Sequence, residues 1–253
     1  MKVFFHFLLY TVFFSLALCI VSPSSAIRLD LGLSSDFFPD DDEMGMTSDF
    51  MNHEVQLDVL QTGSWQAVLD AIGQKKVQQV VPLLEQTPFF IDYNDGDGNI
   101  FHHAAACDWG SDQLIQLCAN QAVYNQLDRL FMQRDTGNYT PLMVAVCAQN
   151  LDATRVFIDH GAPVDAVGGT FENDRVFNGN ILHLAAYCGW NREMLRQLCL
   201  CTRVQNNLKN LLEQRDTLGR VPLLCAIAYK NIDVAMFLSD LCRLSGVTWR
   251  RLR

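Results

Sequence analysis

Apolar residues recur along the middle of the chain at helical spacing. Leu114, Leu117 and Cys118 fall at i, i+3 and i+4, and Leu195, Leu198 and Cys199 repeat the pattern. That spacing puts three side chains on one face and predicts amphipathic helices with a buried stripe. Shorter Ala-rich stretches precede them, opening at Phe101, Leu142, Leu182 and Leu223, at intervals of 41, 40 and 41 residues. Ala at 104, 105, 145, 185, 186 and 226 is small enough to let neighbouring helices approach closely. Pro141 and Pro222 stand where a first helical turn begins, and the N–H that proline lacks is unpaired there anyway. Each period of about forty residues therefore predicts a short helix, a turn and a second helix.

The periods pair. GNIFHHAAACDW from Gly98 returns as GNILHLAAYCGW from Gly179, and QRDTGNYTPL (Gln133 to Leu142) aligns without a gap to QRDTLGRVPL (Gln214 to Leu223). Over the 45 positions from 98 to 142, 22 are identical at an offset of 81. Such a duplication governs the reading of every shorter motif inside it. DYNDGDGNIFHHAA (Asp92 to Ala105) is an example. A calcium loop needs Gly at its sixth position and Glu at its twelfth, but starting at Asp92 supplies Asp97 and His103, and starting at Asp95 supplies Ile100 and Ala106. His102 and His103 point about 100° apart on a helix, so they do not form a metal pair as i, i+4 histidines do. The stretch reads as a turn between periods, with Gly supplying positive φ and Asp or Asn bonding its own backbone. His102 and His183 read as structural hydrogen-bonding groups. Asn138, standing where Gly219 stands in the next block, reads as a left-handed residue.

These residues resemble the ankyrin repeat, whose pattern is G-x-T-P-L-H-x-A-A, a second helix, then G-A-x-V-[ND]. TPLMVAV (Thr140 to Val146), LHLAAYCG (Leu182 to Gly189) and GAPVD (Gly161 to Asp165) carry the likeness. WQAVLDAIGQKKVQQVVPLLEQ (Trp65 to Gln86) reads as a degenerate first unit and CAIAYKNIDVAMFLSDL (Cys225 to Leu241) as the last. The resemblance implies an all-α ankyrin-repeat solenoid of about five helix-turn-helix units with short turn and hairpin connections, in which no unit buries its apolar face alone. It also implies a non-enzymatic, protein-binding module whose partner docks on the turn tips and inner helices. The candidates there are Asp95, Asp97, Arg134, Tyr139, Arg215 and Arg220. Trp109 and Trp190, in the turn between paired helices, carry two readings: anchors for a partner, or packing against the neighbouring unit.

Three features depart from the pattern. QAVYNQLDRLF (Gln121 to Phe131) and TRVQNNLKNLL (Thr202 to Leu212) are extra segments after second helices, and VGGTFENDRVFNG (Val167 to Gly179) reads as a long loop. Pro82 interrupts the second helix of the first unit, at a cost of about 3 kcal/mol unless that helix kinks or starts late. The alternation of long and short units resembles the inhibitor-of-kappa-B family, which holds Rel-type transcription factors. That resemblance implies Asp95 and Asp97 as carboxylates facing a basic nuclear-localisation segment of the partner. This chain has four residues between Asp97 and His102 where the family has three. It also lacks the family's D-S-G-x-x-S phosphodegron, to which SDFFPDDDEMGMTSD (Ser35 to Asp49) is only a distant likeness.

Charge and composition divide the chain further. The net charge of −9 is uneven: Ile27 to Leu60 holds nine acidic residues and one basic, whereas Gln61 to Arg253 holds nineteen acidic and seventeen basic. Four segments are expected: a signal peptide or membrane anchor over 1–26, an acidic disordered leader over 27–60, the repeats over 61–245 and a basic tail over 246–253. MKVFFHFLLYTVFFSLALCIVSPSSA has a single Lys, an apolar run and a small-residue cleavage site at Ser24-Ser25-Ala26. The run is also nearly long enough to span a bilayer, so the product is secreted or membrane-tethered if the segment is used. The eight later cysteines point the other way. Cys107/Cys188 and Cys118/Cys199 recur at equivalent helical positions as small apolar fillers, a usage that suits the cytoplasm or nucleus. Asn138-Tyr139-Thr140 is a glycosylation sequon if the domain is lumenal. The chain has no phosphate-binding loop, nucleophile elbow or H-E-x-x-H, so no catalytic residue, cofactor, metal or small-molecule substrate is expected. It also has no basic groove with interleaved aromatics, so nucleic acid is not an expected partner.

Overall fold

The computed structural model describes residues 65–171 and 175–247. The expected signal segment, the acidic leader and all but the start of the basic tail lie outside the described residues. Within them the chain is mostly helical. The first pair is α1 (65–73) and α2 (Val77–Gln86), and the second is α3 (Ile100–Ala106) and α4 (Ser111–Ala119), followed by short helices α5 (Gln121–Tyr124) and α6 (Leu127–Met132). The third pair, α7 (Pro141–Cys147) and α8 (Leu151–Asp159), leads into strands β1 (Gly168–Phe171) and β2 (Arg175–Gly179). The fourth, α9 (Ile181–Tyr187) and α10 (Arg192–Leu200), is followed by α11 (Thr202–Glu213), and α12 (Pro222–Ala228) and α13 (Ile232–Leu244) form the fifth.

The pairs stack in sequence order. First helices pack α3 on α7, α7 on α9 and α9 on α12; second helices pack α2 on α4, α4 on α8, α8 on α10 and α10 on α13. The buried stripe leucines and small alanines lie between these layers, so each pair completes its core only against its neighbours. The turn inside each pair carries a left-handed residue: Lys75, Asp108, Gln149, Gly189 and Lys230, with φ of 56°, 55°, 56°, 76° and 59°.

Buried polar groups repeat the 81-residue offset. Asn99 and Asn180 cap α3 and α9, their side-chain oxygens accepting backbone N–H groups of the first turn. Their amides donate to Leu130 O and Gln133 Oε1 in one block, and to Leu211 O and Gln214 Oε1 in the other, at 2.7–2.9 Å. The Nδ1 atoms of His102 and His183 accept the N–H of their own cap residue, while Nε2 donates to the carbonyls of Tyr139 and Arg220 at 3.0 and 2.9 Å. Each ring thus uses one acceptor and one donor nitrogen, the neutral tautomer, and burial pushes both imidazoles down to about 4. At the opposite end of the first helices, Asn150 donates to Ala105 O and Trp109 O, and Asn231 to Ala186 O and Trp190 O.

One local expectation changes, and two further departures from the pattern take a definite form. The segment read as a long loop, Val167 to Gly179, forms an antiparallel hairpin in which Gly168 pairs with Gly179 and Thr170 with Val176. The extra segments fold as helices, α5 and α6 in one block and the continuous α11 in the other; Phe131 of α6 packs against Phe101 and Phe157 at ring distances of 4.9 and 5.3 Å. Helix α2 runs on through Pro82 to Gln86. The carbonyl that loses its helical donor there belongs to exposed Gln78, where water can serve it.

Candidate protein-binding surface

The turns between pairs form a connected row. Thr136 donates its N–H to Gly96 O at 2.7 Å, Gly169 donates to Asn138 O at 3.2 Å, and the Asn94 amide reaches Arg134 O at 2.9 Å. Asn138 holds φ 62° and Gly219 φ 74°, the left-handed geometry expected at these matched positions. The sequon asparagine therefore lies in a tip, and its side-chain oxygen accepts from Arg134 at 3.2 Å.

The structure separates the two expected carboxylates. Asp97 is exposed. Asp95 has an exposed backbone, but its side chain is only 19% accessible and is turned inward. It accepts from Trp65 Nε1 at 2.8 Å, from the Asp97 and Gly98 N–H groups at 3.0 Å each, and meets His103 Nε2 at 3.0 Å. Burial opposes its ionisation, but the His103 hydrogen bond and charge, with the Trp65 and Gly98 hydrogen bonds, outweigh burial and hold it below the usual carboxylate range. The reading of Asp95 as a group facing a partner is corrected accordingly: its acceptor capacity is taken up within the chain.

Trp109 and Trp190 are likewise corrected as partner anchors. Both indoles are buried, and Nε1 donates to Ile72 O and Val146 O of the preceding pair at 2.8 and 2.7 Å. These rings join neighbouring units.

Tyr139 is half-buried and clamps the hairpin to its tip: a Cβ at either Gly137 or Gly169 would run into its ring. Burial, then the nearby Cys147 and Cys188, raises its phenol. Arg134 and Arg215 are exposed, each with Nη1 on the carbonyl of the left-handed residue four positions on, Asn138 and Gly219, at 2.9 and 2.5 Å.

Arg220 occupies the place of Tyr139 in the second block, and the exchange alters the aspartate beneath it. Asp135 accepts the Tyr139 N–H at 2.8 Å, and burial raises its pKa. Asp216 accepts the Arg220 N–H at 2.7 Å and its Nε at 2.8 Å; burial is outweighed there and the carboxyl is lowered. The guanidinium also lies over the Tyr229 ring, 5.5 Å from its centroid, and Tyr229 meets Tyr187 edge-on at 4.8 Å. Leu218, 63% exposed, stands at the same tip.

Tyr187, Leu218 and Tyr229 were not among the expected residues. The alignment held a signal for two of them: Tyr187 and Tyr229 replace the small Ala106 and Ala148 of earlier units at inner-face positions. Among the described residues no group of three or more His, Cys, Asp or Glu converges as a metal site. No helix among them is long and apolar enough to cross a membrane.

The ankyrin-repeat family model matches residues 137–169, from the second tip through α7 and α8 into β1. The chain carries an ankyrin repeat. Ankyrin repeats are protein-interaction modules, typically without catalytic activity. No curated protein matches the chain, and neither comparison reaches the inhibitor-of-kappa-B family.

Proposed function

We propose that this ankyrin array is a non-enzymatic binding module that takes a segment of another protein along its tips and the inner ends of its first helices. The observation that carries this reading is the strip formed by Leu218, Arg220, Tyr229 and Tyr187, with an exposed leucine at the tip and two tyrosines in edge-on contact on the inner face. Aromatic residues and arginine are the types enriched at interface hot spots.

The resemblance in unit lengths supports a finer reading, an inhibitor that masks a basic segment of a Rel-type transcription factor. In that reading Asp97 is the tip carboxylate available to the basic segment, Asp95 being engaged by Trp65 and His103. The apolar segment at 1–26 supports a second reading, a secreted or membrane-tethered effector or scaffold.

Capture from the cells of origin with the full-length chain tests these readings. Partner recovery is expected to fall about 30-fold with the Tyr187→Ala/Tyr229→Ala double variant, as for loss of a hot spot of about 2 kcal/mol. Undiminished recovery would remove the strip from the binding surface. A Rel-type protein among the partners, with weaker binding to Asp97→Ala, supports the masking role; partners confined to the secretory pathway reject it.

A further inference from the structure

Each junction between stacked first helices brings together one residue from the end of each helix. The Trp-to-carbonyl bonds align the junctions, because Trp109 reaches Ile72 O as Trp190 reaches Val146 O. In this register the facing pairs are Gly73 with Cys107, Ala106 with Ala148, Cys147 with Cys188, and Tyr187 with Tyr229. The Tyr187–Tyr229 ring contact shows that residues at these positions touch across the junction. Cys147 and Cys188 hold the corresponding positions of the α7/α9 junction, and each thiol influences the other electrostatically. Among these four junctions, only α7/α9 has sulfur on both sides.

The backbone there is fastened on both flanks of the thiols. Trp190 Nε1 donates to Val146 O at 2.7 Å, and Gln149 Nε2 donates to Cys188 O at 2.5 Å. Both cysteines are free and half-buried, in contrast to the buried Cys118 and Cys199. We infer that Cys147 and Cys188 form a modification site, a disulfide that closes between the third and fourth helix pairs when the chain meets an oxidised small-molecule disulfide such as oxidised glutathione.

The chemistry is thiol–disulfide exchange. Contact with Cys188, then burial, pushes the Cys147 thiol up, so exchange proceeds through the minor thiolate form. One of the two thiols, as its thiolate, attacks one sulfur of oxidised glutathione, breaking its S–S bond, forming a mixed disulfide and releasing one glutathione. The other thiol then attacks the protein sulfur of that mixed disulfide and expels the second glutathione. The protein loses two electrons and two thiol protons, and two molecules of reduced glutathione carry them away. The product fixes the junction beside Tyr139, whose phenol Cys147, Cys188 and Tyr187 all influence. The inference is independent of the partner's identity.

The deciding experiment equilibrates the native full-length chain with glutathione couples of increasing oxidised fraction, alkylates the free thiols and maps the peptides without reduction. The expected result is a cystine joining the Cys147 and Cys188 peptides and loss of alkylation at both, with Cys118 and Cys199 unbridged. Cys188→Ser is expected to abolish the bridge, and Cys107→Ser to leave it intact. Two free, alkylatable thiols at 147 and 188 in excess oxidised glutathione would overturn the proposal, as would preferential pairing of either with a third cysteine. The wild-type map decides the matter whether or not a variant folds.

Discussion

At the residue scale, the matched histidines make the fold sensitive to acid. His102 and His183 are neutral, with both ring nitrogens used, and are held at about 4 against an ordinary value of 6.5. Each folded-state value is depressed, so the associated stability is fully present above pH 6.5 and is lost as pH falls towards 4, where the unfolded chain has taken up protons the folded one refuses. The loss is roughly 3 kcal/mol per ring. Urea midpoints measured between pH 7.5 and 4 should fall steeply across that window, and a flat profile would contradict the assigned tautomers. The two neighbouring carboxylates separate in the same assay. Asp95→Ala removes the acceptor of Trp65 and of two backbone N–H groups, and is expected to destabilise by about 1–3 kcal/mol. Asp97→Ala, at an exposed position, is expected to stay within about 0.5 kcal/mol.

At the element scale, the first helices are set by their caps. Asn180 accepts two N–H groups of α9 and donates to Leu211 O and Gln214 Oε1, so it fixes both the start of α9 and the seating of α11. Asn180→Ala should cost roughly 2–4 kcal/mol in thermal or urea unfolding, more than a surface cap, because buried groups lose their partners as well. The helix pairs were legible in the sequence because their signals are local: a Pro or Asn at the start, small residues within, and a stripe at helical spacing. The hairpin was not, since Gly168 and Gly169 take their place against Tyr139 and Asn138, contacts formed about thirty residues away in sequence. The same limit applied to the candidate surface. Asp97, Arg134 and Arg215 are exposed residues of the turns, whereas the inward turn of Asp95 depends on Trp65, in the unit whose sequence departs furthest from the repeat.

At the scale of the whole described array, each helix pair packs on its neighbours in sequence, so stability should be graded along it. Pair α7–α8 is covered on both sides, whereas α12–α13 has a described neighbour on one side only. Amide exchange is accordingly expected to be slowest in α7 and α9 and faster in α13; uniform protection would point to a single cooperative unit. The offset of 81 carries a consequence for how such a chain changes length. Joining Gly98 directly to Asn180 would set Trp190 against Ile72 where Trp109 now sits, and Asn180 would keep Leu211 and Gln214. Removing one block, or inserting another, therefore renews the same seams rather than inventing new ones. The double repeat is thus the unit whose gain or loss leaves every seam of this kind with its partners.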